Sequence, residues 1–333
     1  MEHMAEIGIL GAGTWGMALA RLLSNSGHGV HVWSALKEEI DQLTRDRRQK
    51  NLPGMDIPES IRFTKEMGEV CQGKDILLFA VPSVFVRATA RQAAPYYQKK
   101  QIIVDVAKGI EKDTLMTLSE VIKSEIPQAV IVALSGPTHA EEVARDLPTT
   151  VVSACEDTTA AEKVQAVFMN DVLRVYTNTD IKGVELCGAL KNIMALASGI
   201  SSGLGYGDNT KAALITRGLA EMERLGIQMG CRKETFAGLA GVGDLIVTST
   251  SEHSRNYRCG RLIGRGYASE DAVREVGMVV EGINAIPAAM TLMRKHGVEM
   301  PITAAVDAIV RQGADPRETV LKLMRREKTM ETF

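Results

Sequence analysis

The feature that most constrains this chain is a run of glycines close to its start. Ile7 to Leu10 reads as a short β-strand and runs straight into Gly11-Ala12-Gly13-Thr14-Trp15-Gly16, followed by the helix-forming stretch Met17 to Ser24 and a second strand-like run, Val30 to Trp33. Strand, tight turn, helix and strand in that order make a β-α-β unit, and the glycines fall where such a unit needs them. Gly11 makes the sharp turn, Gly13 lets backbone N–H groups come close to a pyrophosphate, and Gly16 permits close packing of the helix. The helix then turns its positive N-terminal end toward the anion. This pattern predicts dinucleotide binding rather than simple turn glycines.

Short β-branched runs alternate with helix-like stretches through the first half of the chain. They fall at Glu6 to Leu10, Gly29 to Ser34, Asp75 to Val81, Gln101 to Ala107, Ala129 to Leu134, Thr149 to Ala154 and Val172 to Tyr176. Such alternation predicts an α/β fold in which a mostly parallel sheet carries helices on both faces. After about residue 180 the chain turns to long stretches of Ala, Leu, Met, Glu and Arg, and strand-like runs nearly vanish. We therefore expect a Rossmann-type dinucleotide-binding domain over residues 1–180 and an all-helical substrate-binding domain over residues 181–333.

Composition narrows the function classes. A length of 333 residues suits two domains and a large core, and 45% hydrophobic with 24% charged residues excludes a disordered or fibrous chain. The 39 basic and 41 acidic residues leave a formal charge of -2, which gives no overall attraction for nucleic acid or an anionic membrane. Any anionic ligand must be met locally. Cys71, Cys155, Cys187, Cys231 and Cys259 are scattered, odd in number and form no Cys-x-x-Cys pair, which fits reduced thiols. Those cysteines and the six histidines show no metal-ligand spacing. Glu2 and Glu6 give the start none of the character of a secretion signal, and no window holds 18 uninterrupted apolar residues. A cytoplasmic protein with no metal and no membrane-inserted segment is expected.

The end of the second strand reports which nicotinamide dinucleotide is held. An acid there grips the ribose 2′-hydroxyl, whereas a base accommodates a 2′-phosphate. The chain reads Trp33-Ser34-Ala35-Leu36-Lys37, with no carboxylate at the diagnostic position. Ser34 and Lys37 suit a 2′-phosphate and favour NADP, while NAD stays open because Lys37 equally suits a solvated first turn.

The stretch Val184 to Ala197 is apolar on nearly every helical face, which marks a helix enclosed by protein, and Lys191 sits in its middle. Burying an ammonium costs several kcal/mol, about the size of effect that lowers a lysine pKa toward neutrality and makes the amine a proton donor or acceptor. The plainer alternative is a structural lysine that reaches the surface or pairs with Glu185 or another acid. Four more segments bear on the choice. Lys108 directly follows the strand-like Val104-Asp105-Val106-Ala107, and Leu134-Ser135-Gly136-Pro137-Thr138-His139-Ala140 also ends a strand, so both lie where open α/β sheets bind ligands. Gly136 and Thr138 offer backbone amides and a hydroxyl, and His139 reads as a packing or capping residue. Ala240-Gly241-Val242-Gly243-Asp244 is a glycine-rich turn presenting one carboxylate. Ser254-Arg255-Asn256 at a helix start suits a phosphate, because hydroxyl, guanidinium and amide converge with free backbone N–H groups. Arg258, Arg261 and Arg265 read as a solvated helix face.

Taken together, the blocks GAGTWG, VDVAKGIE, LSGPTHA, VELCGALKNIMALASGI, GLAGVGDLIVT, SRN and VVEG, in order from residue 11 to residue 282, resemble the bacterial type of NAD(P)-dependent glycerol-3-phosphate dehydrogenase. The resemblance implies reversible reduction of dihydroxyacetone phosphate to sn-glycerol 3-phosphate for glycerophospholipid synthesis, in a cytoplasmic homodimer. It implies that Lys191 is the catalytic proton donor and acceptor. It places Lys108, Gly136, Thr138, Asp244, Ser254, Arg255 and Asn256 on the substrate side. Gly11, Gly13, Thr14, Trp15, Gly16, Lys108, Ala140, Arg255, Val279 and Glu281 fall on cofactor-contacting positions. One position departs from the family: Ala35 stands where an arginine is usual, which weakens the case for tight 2′-phosphate recognition. Two rival readings share parts of this pattern. Other two-domain dehydrogenases, acting on 3-hydroxyacyl-CoA, 6-phosphogluconate or ketopantoate, keep the fold and change the substrate. A redox-sensing module that holds dinucleotide without turnover would leave a buried lysine unexplained.

Overall fold

The computed structural model describes residues 4–328, 330 and 331. Glu2 lies outside the described residues. The chain forms two compact units, one made of residues up to 108 with 116–181, the other of residues 109–115 with 182 onward.

The first unit is a Rossmann-type α/β layer structure. Its strands are β1 (Glu6–Leu10), β2 (Gly29–Trp33), β3 (Arg62–Thr64), β4 (Ile76–Phe79), β5 (Ile102–Asp105), β6 (Val130–Ser135), β7 (Thr149–Ala154) and β8 (Leu173–Asn178). They form one sheet in the order β3-β2-β1-β4-β5-β6-β7-β8. Each neighbouring pair is parallel except β6 with β7. Residues 136–148, with the single-turn helix Ala140–Val143, join β6 to β7. The three-residue β3 was not expected from the sequence, because Arg62-Phe63-Thr64 is too short to show an alternating pattern.

Strand residues point alternately to the two faces, and each face builds its own core. Ile7, Ile9, Ile76, Leu78, Val104 and Val132 pack with Met17, Leu19 and Leu23 from helix α1 (Thr14–Asn25). Leu10, Leu77, Phe79, Ile103 and Ile131 pack on the opposite side. The remaining helices of this unit are α2 (Lys37–Asp46), α3 (Met67–Cys71), α4 (Val86–Ala93), α5 (Leu118–Glu125), α6 (Ala140–Val143) and α7 (Thr158–Phe168). Each fully buried Leu or Ile contributes roughly 1.5–3 kcal/mol, so a sheet covered on both faces is held far more firmly than one face allows. The strand order reverses between β1 and β4, which opens a crevice at their carboxyl ends, and the glycine run sits there.

The second unit is helical, and every strand among the described residues lies in the first. Its helices are α8 (Ile181–Gly203), α9 (Asp208–Gln228), α10 (Lys233–Phe236), α11 (Asp244–Thr250), α12 (Arg255–Gly264), α13 (Ser269–Val276), α14 (Glu281–His296), α15 (Pro301–Gln312) and α16 (Pro316–Met324). Residues 183–201 of α8 are all buried, as its largely apolar sequence requires. Helices α8 and α12 meet backbone to backbone through two pairs of glycines four residues apart. A Cβ on Gly199 would stand 2.1 Å from the Tyr257 carbonyl oxygen, and one on Gly203 2.3 Å from that of Arg261. In return, a Cβ on Gly260 would stand 2.2 Å from the Leu196 carbonyl oxygen, and one on Gly264 2.2 Å from that of Ile200. This close approach fixes α8, which carries Lys191, against α12, which carries Arg255 and Asn256.

Candidate active site

In the first unit the glycine run forms an anion cradle. Gly11 has φ +125° and sits where a Cβ would lie 2.6 Å from the Ala80 carbonyl oxygen, so only glycine makes this turn. Its N–H donates to the Trp33 carbonyl at 2.8 Å, which holds the loop beside the end of β2. Gly13 is the N-cap of α1 and provides no side-chain cap, leaving the first N–H groups of a 12-residue helix uncovered. A Cβ at Gly13 meets nothing within 4 Å, whereas one at Gly16 would lie 2.1 Å from the Gly11 carbonyl oxygen. The open side at Gly13 and the bare helix end fit a pyrophosphate. Thr14 accepts a hydrogen bond from the Asn51 side chain at 3.3 Å, and Trp15 packs half-buried on the core.

A second group lies at the carboxyl ends of β5 and β6. Lys108 Nζ donates to the Gly136 carbonyl at 3.0 Å and to Thr138 Oγ1 at 3.4 Å, and the Thr138 hydroxyl donates to the same carbonyl at 3.1 Å. Three residues expected on the substrate side are thus one hydrogen-bonded set. Ala140 follows as the first residue of α6, with His139 as N-cap through its backbone.

In the second unit, Lys191 is 5% exposed. Its ammonium donates to Asp244 Oδ1 at 2.7 Å and to Thr248 Oγ1 at 2.6 Å, while the Thr248 hydroxyl donates to Asp244 Oδ1 at 3.2 Å. Asp244 is 1% exposed. The pairing with Asp244 has a geometric reason: Glu185 lies six residues back on α8, about 240° around the helix from Lys191. Asp244 and Thr248 stand one turn apart on a single face of α11. The segment before them, expected as a glycine-rich turn, is a π-helical turn over Leu239–Gly243, in which Gly243 N–H donates to the Gly238 carbonyl at 3.2 Å. A Cβ at Gly241 would stand 2.0 Å from the Phe236 carbonyl oxygen. The glycines therefore let the chain pass close enough to deliver Asp244 to the lysine.

Asn256 and Asn192 extend this arrangement. Asn256 Nδ2 donates to Asn192 Oδ1 at 2.9 Å, and Asn256 Oδ1 accepts from the Gly282 N–H at 2.8 Å. One amide thereby ties α8, α12 and the start of α14 together. Ser254 is the N-cap of α12, its Oγ accepting from the Tyr257 N–H at 3.2 Å, and Arg255 opens that helix half-buried. Val279 and Glu281 flank the start of α14, both half-buried. Arg265 is exposed and Arg261 pairs with Glu252 at 2.5 Å, but Arg258 departs from the expected solvated face. It is half-buried, and its Nε is enclosed without a hydrogen-bond partner. Sequence reasoning missed Thr248 and Asn192; an i, i+4 relation to Asp244 and adjacency to Lys191 are the signals that point to them. Among the described residues no group of three or more His, Cys, Asp or Glu side chains is placed to hold a metal ion, and no helix is long and apolar enough to cross a membrane.

Comparison with known proteins decides the family. The model for the N-terminal part of NAD-dependent glycerol-3-phosphate dehydrogenase matches residues 6–161, and the model for its C-terminal part matches residues 180–321. The chain belongs to the NAD-dependent glycerol-3-phosphate dehydrogenase family. A relative named glycerol-3-phosphate dehydrogenase (NAD(P)+) 2, from Lactobacillus delbrueckii subsp. bulgaricus, is 67% identical over 334 residues, covering 98% of this chain and 99% of the relative. The glycerol-3-phosphate dehydrogenase (NAD(P)+) of Bacillus subtilis is 50% identical over 332 residues, covering 98% and 96%. Among solved structures, glycerol-3-phosphate dehydrogenase from Coxiella burnetii superposes with a TM-score of 0.94 at 37% identity, covering 97% of this chain and 99% of that one.

Proposed function

We propose that this chain catalyses reversible hydride transfer between a nicotinamide dinucleotide and the carbon of a small phosphorylated ketone, converting dihydroxyacetone phosphate and NAD(P)H to sn-glycerol 3-phosphate and NAD(P)+. The observation that carries this reading is the buried Lys191–Asp244–Thr248 triangle, in a chain whose family is named for that reaction. The bound nicotinamide supplies the hydride. Everything else falls to the protein. Gly11, Gly13, Thr14, Trp15 and Gly16 are read as the cradle for the pyrophosphate, with Ala140, Val279 and Glu281 as further cofactor contacts.

As hydride reaches the carbonyl carbon, negative charge grows on its oxygen and must be met by a donor. Lys191 fills that role and delivers the proton that completes the alcohol; in the reverse direction it removes it. Asp244 and Thr248 hold the ammonium in one orientation, so no reorganisation is needed at the moment of reaction. Arg255, with Ser254 and Asn256, is read as the phosphate anchor, so that binding energy far from the reacting carbon helps to position it. Lys108, Gly136 and Thr138 are read as substrate-side groups of the first unit, and Lys108 and Arg255 as groups that also touch the cofactor. We further propose a homodimer acting in the cytoplasm, whose product enters glycerophospholipid synthesis.

The test is a turnover assay with dihydroxyacetone phosphate that follows the loss of reduced-nicotinamide absorbance. Lys191→Ala is expected to lower kcat by about 10²- to 10⁴-fold, the usual worth of a positioned acid or base, with dinucleotide binding intact. Near-normal turnover by that variant would overturn the assignment.

A further inference from the structure

At the carboxyl end of β2, where the ribose 2′ position of a dinucleotide is read, the chain runs Ser34-Ala35-Leu36-Lys37-Glu38-Glu39. Ser34 is 7% exposed. Its hydroxyl donates to Glu39 Oε2 at 2.6 Å and accepts from the Leu36 N–H at 3.2 Å. The one hydroxyl proton is therefore committed to a carboxylate and not offered to a phosphate oxygen. Glu39 is half-buried in the first turn of α2, drawn toward the strand end by this bond. Ala35 is exposed and carries no charge. Lys37 is the one cation from residue 34 to residue 39, against two carboxylates. The N-terminus of α2 has no side-chain cap and would by itself attract an anion, but Glu38 and Glu39 in its first turn already answer that field.

We propose that Glu39, held by Ser34, sets the cofactor preference of this chain by receiving the ribose 2′-hydroxyl of NAD(H) and repelling the 2′-phosphate of NADP(H). The position at which a Rossmann strand usually ends in an acid is a serine here, and the serine recruits an acid from five residues further on. The inference rests on the dinucleotide site proposed above and adds which of the two dinucleotides that site favours.

Affinity can be read without turnover by titrating the full-length protein with NADH and, separately, NADPH, following nicotinamide fluorescence in the absence of ketone. The wild-type chain is expected to bind NADH at least about tenfold more tightly, corresponding to about 1.4 kcal/mol. Glu39→Gln keeps an acceptor for the Ser34 hydroxyl and removes only the charge. It is expected to tighten NADPH about tenfold and to weaken NADH about tenfold, the worth of a hydrogen bond to a charged group. Raising salt from about 0.1 M to 1 M shortens the screening length from about 10 Å to 3 Å, and should narrow the wild-type ratio but not that of Glu39→Gln. Equal or tighter NADPH binding by the wild type, or a ratio that Glu39→Gln leaves unmoved, overturns this inference and leaves the dinucleotide site standing. Binding of neither dinucleotide overturns both.

Discussion

Lys191 and Asp244 put two opposite charges out of reach of water, and that arrangement is asymmetric in its response to mutation. Removing one partner strands the other charge and costs about 3–5 kcal/mol, whereas replacing both with apolar groups of similar size is often close to neutral. Asp244→Asn is therefore expected to lower the urea midpoint markedly, and the double variant Lys191→Met with Asp244→Leu to regain most of the loss while remaining inactive. Strictly additive effects in the denaturation series would refute the coupling. Arg255→Ala is expected mainly to raise KM for the phosphorylated ketone, by about 10- to 100-fold, the worth of a hydrogen bond to a charged group; an unchanged KM would place the phosphate elsewhere. Lys191 was legible from the sequence because an amine in the middle of a largely apolar helix is a local anomaly. Its partner was less so. Helix spacing turns Glu185 away from the ammonium, but nothing local says that Asp244, 53 residues further on, is delivered to it by the π-helical turn at Leu239–Gly243. Ser34 was read as a group for a 2′-phosphate, and no local pattern says that its proton goes to Glu39.

Among whole elements, the α8–α12 contact depends on absent side chains. Gly260→Ala would push a methyl group against the Leu196 carbonyl oxygen, and overpacking of this kind costs about 1–3 kcal/mol. Calorimetry should show a lower Tm, together with impaired turnover as Lys191 and Arg255 shift apart; an unchanged Tm would mean the helices separate freely. The paired spacing Gly199/Gly203 and Gly260/Gly264 was visible in the sequence, but a glycine pair acquires meaning only from the partner helix it faces. A second inter-helix tie is titratable. Glu221 in α9, 1% exposed, accepts from the Ile302 and Thr303 N–H groups and the Thr303 hydroxyl at 2.6–3.1 Å, at the start of α15. Burial nevertheless pushes its carboxyl up to about 7 from an ordinary value of 4.5. The folded chain thus holds this proton where the unfolded chain has released it, so the group's contribution to stability falls as pH rises from about 4.5 to about 7 and levels off above. The full effect is about 3 kcal/mol. Glu221→Gln should flatten that part of the urea-midpoint profile between pH 5 and pH 8, and an identical profile would exclude Glu221 as its source.

For the molecule as a whole, most of the architecture was written in periodicity. Seven of the eight strands were expected close to their observed places, and the turn to helices near residue 180 was plain. What escaped was non-local: β3, which exists by pairing with β2, and the assignment of residues 109–115 to the second unit. Nothing in Gly109-Ile110-Glu111-Lys112-Asp113-Thr114-Leu115 distinguishes it from a connection within the first unit. If the proposed homodimer forms, light scattering on the native chain should give about twice 36.1 kDa, and a mass of one chain would refute it.

That short excursion has a consequence for how such a protein can be cut or recombined. The polypeptide visits the helical unit twice, so no single scissile bond separates one compact body from the other. A gene fragment starting at residue 182 would lack seven residues that pack with it, and one stopping at residue 181 would carry the same seven as an orphan. Hybrids made with a relative should therefore fold better when residues 109–115 travel with 182 onward than when the exchange is made at one junction, a difference that soluble yield and melting temperature would register.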